Sequence, residues 1–74
     1  MHPNAMQRLQ ILEILYQYFE KHPGRPWVNV RQLKELGEID FTLAALKELG
    51  HIKQNGFNYC ILGSGILVYE SAND

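Results

Sequence analysis

Covalent staples are scarce in this chain. Cys60 is its only cysteine, so an internal disulfide is impossible. A lone thiol fits a reducing compartment and reads as a small apolar side chain. Long hydrophobic runs are missing too. The richest stretch, Leu9–Phe19, is interrupted by Gln10, Glu13 and Gln17. It is too short and too polar to cross a bilayer, so no membrane partner is expected. The opening MHPNAMQ has neither a basic segment nor a small-residue cleavage site. No secretion signal is therefore expected, and the cytoplasm is the expected compartment. Basic excess is also lacking: seven Lys and Arg stand against eight Asp and Glu, for a net charge of −1. That is a weak electrostatic footprint for nucleic acid unless cations cluster locally.

Catalytic constellations are absent as well. His2, His22 and His51 stand far apart, none with a partner at metal-ligand spacing. Cys60 has no base placed to activate it. Glu35 and Glu48 each lie near a lysine of their own helix and read as solvated. Gly63-Ser64-Gly65 is too short for a phosphate loop and lacks the Lys-Ser/Thr that follows one. Tyr16, Tyr18 and Trp27 could form a stacking surface for single-stranded nucleic acid, but such residues more often serve a core with a polar tip in water. No enzyme, catalytic residue, metal site or cofactor is expected.

What is present is enough apolar residue, 46% of 74 positions, for one packed domain spanning 1–74. A chain this small is only marginally stable alone. The first helix is expected over about 4–21, with Asn4 as N-cap and Gln7 completing a capping box. Ala5, Leu9, Leu12, Leu15, Tyr16 and Phe19 share one face, and Ile11, Ile14 and Tyr18 widen it. Such a helix needs cover on more than one side, from the rest of the domain or from a second copy. His22-Pro23-Gly24-Arg25-Pro26 breaks the chain, and Trp27-Val28 reads as a short extended piece.

The pentapeptide LKELG occurs twice, at Leu33–Gly37 and Leu46–Gly50. Both copies read as the last turn of a short helix, an inward leucine followed by solvated Lys and Glu, a second leucine and a closing glycine. Their flanks do not match, so duplication is the weaker account. The second helix is expected over about 30–36, capped by Asn29 with Gln32 returning the bond. The third is expected over about 41–49, capped by Asp40. Beyond Gly50 the pattern becomes β-rich, with a wing over about 52–70. Asn55-Gly56 signals a hairpin between Ile52-Lys53-Gln54 and Phe57–Leu62, where Phe57, Tyr59 and Ile61 share a side. Residues 66–70 suit either a third strand or a short closing helix, and their β-branched and aromatic content favours the strand.

This order resembles the winged helix-turn-helix family. The residues carrying the likeness are Leu33, Leu36, Gly37, Ile39, Leu43, Leu46, Gly50 and Ile52, within a span of roughly 28–62. The resemblance implies an α+β fold, a three-helix core with a C-terminal β-hairpin wing in the order α-β-α-α-β-β. It also implies a third helix lying in the major groove of DNA and a wing touching the backbone or minor groove. Carried onto this chain, the solvent side of the third helix presents Asp40, Phe41, Thr42, Ala45, Lys47 and Glu48. Of these, Thr42 and Lys47 suit DNA, whereas Asp40 and Glu48 would repel phosphate. Arg25, Arg31, Lys34, Lys53, Asn55 and Asn58 are candidates for phosphate contacts, with Gln54 beside them. A small DNA-binding regulator or accessory factor, dimeric through the first helix, is the first expectation. The alternative is a protein-contact domain that keeps the fold without binding DNA.

Overall fold

A computed structural model describes residues 2–73. Helix α1 spans Pro3–Lys21, strand β1 Val28–Asn29 and helix α2 Val30–Leu33, continued by a 3₁₀ turn at Lys34–Leu36. Helix α3 spans Asp40–Glu48, strands β2 and β3 span Ile52–Asn55 and Asn58–Ile61, and helix α4 spans Gly63–Ala72. The three strands form one antiparallel sheet in the order β1-β3-β2. Val28 lies opposite Tyr59, and Ile52 opposite Ile61. The sheet's inner face packs on α1, and α3 closes the remaining side. The expected α-β-α-α-β-β order is present, with one further helix at its end.

One core serves all these elements. Ile11, Leu12 and Leu15 of α1 meet Val28, Leu33, Ile39, Leu43, Leu46, Ile52, Tyr59 and Ile61. Because strand side chains alternate, Ile52 points inward and Lys53 outward. Cys60, opposite Lys53, is nevertheless buried, and burial pushes its thiol above the ordinary range. Such a thiol is a poor nucleophile at neutral pH.

Helix starts differ from expectation. Helix α1 begins one residue before Asn4, because Pro3 opens it with a preset φ and His2 caps it. The His2 Nδ1 accepts the Asn4 N–H at 3.1 Å, and Gln7 is used elsewhere. Asn29 caps α2 as expected, its Oδ1 accepting the Arg31 N–H at 2.9 Å. Asp40 is the first helical residue of α3 rather than its cap; that position belongs to Ile39, which is buried and supplies no side-chain bond. The Asp40 carboxylate still favours the helix N-terminus through the macrodipole.

The two LKELG copies share one closing bond, from the glycine N–H to the lysine carbonyl, and differ in a second. At the second, the Gly50 N–H donates to Lys47 O and the His51 N–H to Leu46 O, both at 3.0 Å. That pair is a Schellman motif, and it needs the positive φ of +78° that Gly50 adopts. At the first, the Gly37 N–H donates to Lys34 O at 3.0 Å, a 3₁₀ closure. The second leucines differ as well. Leu36 packs against the core, whereas Leu49 is 58% exposed.

Two corrections concern the C-terminal third. The hairpin turn lies one residue later than expected, with Gly56-Phe57 as central residues and Asn55 opposite Asn58. Only Gly56, at φ +64°, takes a positive value there, the pattern of a turn with glycine in first place. Phe57 therefore sits at the tip, out of the strand. The expected strand at 66–70 is helix α4. Gly65 permits this: a Cβ there would overlap the His51 carbonyl oxygen and lie 2.9 Å from Ile61 Cγ1. Gly63-Ser64-Gly65 is thus the first turn of the helix rather than a break, and of its two glycines only Gly65 is packed where a side chain has no room. Among the described residues no helix is long and apolar enough to cross a membrane.

Candidate nucleic-acid interface

The hairpin is bonded to both short helices. Val30 N–H donates to Phe57 O at 2.7 Å, joining the start of α2 to the hairpin tip. Asn29 Nδ2 reaches Asn58 Oδ1 at 3.4 Å, which holds Asn58 half-buried beside β1. Arg31, Lys34, Asn29 and Phe57 thus surround a shallow cavity of about 220 Å³. On the other side of the hairpin, Lys47 Nζ of α3 donates to Gln54 Oε1 at 2.6 Å. Gln54 Nε2 in turn donates to Gly56 O at 2.7 Å. This chain links α3 to the turn.

The eight candidate residues fall into separate groups. Arg31 and Lys34 lie together by the hairpin tip. Lys47 stands with Gln54 on the side of the hairpin that faces α3. Strand alternation turns Lys53 and Asn55 toward the outer face, and Lys53 Nζ lies 5.4 Å from the Trp27 ring centroid. Arg25 is exposed in the turn after α1, where its N–H donates to His22 O at 3.0 Å. Among the described residues no hydrogen bond joins it to the other candidates.

Thr42 corrects the expectation of a solvent-facing residue. It is 2% exposed, and its hydroxyl donates to Gln7 Oε1, tying α3 to α1. A hydroxyl buried with one good partner is a packing element and is closed to DNA. Two aromatic residues were not among the candidates. Phe41, near the start of α3, is 70% exposed, and Phe57 is 76% exposed. The one-residue shift of the turn is what places Phe57 in solvent. The acidic side chains Glu38 and Asp40 line a depression with Lys34, so the turn between α2 and α3 is mixed in charge.

Among the described residues no group of three His, Cys, Asp or Glu side chains converges as a metal site requires. The arrangement offers cations, amides and exposed rings around a hydrogen-bonded hairpin. Comparison of the chain with protein-family models, with curated proteins and with solved structures finds no match in any of the three.

Proposed function

We propose that the chain is a winged helix-turn-helix domain that binds duplex DNA, as a small transcriptional regulator or accessory factor. In this reading α3 enters the major groove, α2 crosses the backbone and the β2–β3 hairpin is the wing. The element order and the β1-β3-β2 sheet support the assignment. The observation that carries it is the Lys47–Gln54–Gly56 chain. It joins helix and wing through a cation whose partner is a neutral amide, so its charge remains open to phosphate. Lys53 supports the same reading, since its neighbour is the neutral Trp27 ring. Phosphate contacts of this kind give position and affinity without sequence preference.

The test is a salt titration of binding to a labelled random duplex, read by fluorescence anisotropy. Four or so phosphate contacts give a log–log slope of about −4. Replacing Arg31 and Lys34 together by glutamine lowers that slope by about 2. Absence of binding at low ionic strength and high protein concentration rejects the proposal.

A second reading is favoured by Phe41 and Phe57. Two large exposed rings, with Asp40 and Glu48 on the same helix α3, also suit a domain that contacts protein. That reading expects capture of a partner that added DNA does not displace. Self-association is an independent question, read by sedimentation across a concentration series.

A further inference from the structure

A groove on the opposite flank of α3 has the makings of a ligand site. Its volume is about 330 Å³, and its walls come from α1, α3 and α4. Leu9, Leu46, Leu49 and Val68 supply an apolar lining, and Arg8 and His51 supply the polar groups. Leu46 is fully buried and forms part of the floor, while Leu49 and Val68 leave apolar surface in water. Among the described residues no carboxylate lines the groove, so the half-buried Arg8 brings a positive charge that these residues do not balance. The size lies at the small end for ligand cavities, and an apolar wall with a few polar groups is their usual composition.

The polar groups indicate the chemistry of the occupant. A guanidinium presents a planar fork that matches a carboxylate with two parallel bonds. His51 is held in place by a short relay. The Ser64 hydroxyl donates to Gly50 O at 2.9 Å, so its oxygen is left to accept from His51 Nδ1, also 2.9 Å away. In the neutral ring Nδ1 then carries the proton, and Nε2 is the remaining polar atom. We infer that this groove binds a small monocarboxylate with an apolar body, its carboxylate on Arg8 and its body against Leu9, Leu49 and Val68. Because Leu46 belongs to α3 and Leu49 caps its C-terminal end, occupancy bears directly on the helix that carries Lys47. The inference does not depend on nucleic-acid binding.

The experiment is an amide-resolved NMR titration with hexanoate and, separately, with the neutral isostere hexanamide at equal ionic strength. Hexanoate is expected to shift the amides of Leu9, Leu46, Leu49, His51 and Val68 saturably, and to bind about tenfold more tightly than hexanamide. Arg8→Gln is expected to abolish the difference between the two while leaving the apolar component. Val68→Phe, which fills the groove, is expected to weaken both, with circular dichroism confirming the fold of each variant. Equal affinity of acid and amide, retention of the preference in Arg8→Gln, or absence of saturable shifts overturns the inference. So does a groove already covered by a second copy, seen as concentration-dependent broadening of the same amides without added ligand.

Discussion

Gly65 and Thr42 are each held by a contact remote in sequence, Gly65 against His51 and Thr42 against Gln7. Gly65 looks like a breaker because glycine is a weak helix former. Its role is steric: an added Cβ would meet the His51 backbone, with the carbonyl carbon 3.1 Å away. A backbone neighbour cannot rotate aside as a side chain can. The variant Gly65→Ala therefore gains helix propensity and still loses stability, by about 1–3 kcal/mol as overpacking usually costs. Urea unfolding reads this directly, and an unchanged or raised midpoint would contradict the packing described here. Thr42 looks like a surface hydroxyl, yet it is buried and bonded to Gln7. Neither contact is local in sequence. Residue identity alone could announce Asn29 as a cap or Gly56 as a turn, because those roles are settled within a few positions.

At the level of elements, α1 posed a question that α4 answers. The apolar face of α1 is too wide for one neighbour, and the sheet, α3 and α4 all pack on it. Tyr16 and Tyr69 rings lie 4.7 Å apart, and each phenol donates to a carboxylate across the helix pair. Tyr16 reaches Glu70 at 2.6 Å, and Tyr69 reaches Glu13 at 3.3 Å. Tertiary cover of this kind overrides the β propensity of residues 66–70. The bond to Glu70, and then desolvation, push the Tyr16 phenol up to about 12 from 10.0. A folded-state value raised above the unfolded one means that stability is fully present below pH 10 and is lost as pH rises toward 12. Thermal melts of wild type and Tyr16→Phe should therefore converge over that window, the difference curve isolating Tyr16 from the other tyrosines. Parallel melts from pH 9 to 12 would show that the bond contributes nothing. The LKELG twins give a second comparison at this level. Leu36 packs against the core and Leu49 does not. Leu36→Ala should cost about 1–2 kcal/mol, and Leu49→Ala should stay within about 0.5 kcal/mol. Equal losses would mean that the two copies are equivalent after all. The helices and hairpin were legible because periodicity and turn chemistry are local signals. The fate of residues 66–70 was not, because it is decided by a helix some fifty positions away.

For the whole molecule, a net charge of −1 leaves no global attraction to a polyanion. Any affinity for DNA must come from local cations, and nearby carboxylates then work against it. Glu48 is the informative one. It is the last residue of α3, directly after Lys47, and a negative charge at a helix C-terminus is unfavourable to the helix itself. Replacing it with glutamine thus costs the fold nothing, whereas Asp40 in the first turn helps its helix and would confound the same experiment. If α3 approaches phosphates, Glu48→Gln should tighten duplex binding about two- to fivefold, or roughly 0.4–1 kcal/mol, with the gain shrinking as salt rises. If α3 instead meets a protein, duplex affinity should not respond, and capture of the partner should be unchanged or weaker. The candidate cations could be picked out along the sequence. Their separation into groups around the hairpin could not, because it follows from the one-residue position of the turn and from strand alternation. A response confined to Glu48, with none from Lys53→Gln on the outer sheet face, would assign the contact to the α3 side of the hairpin; equal responses would extend it around the wing.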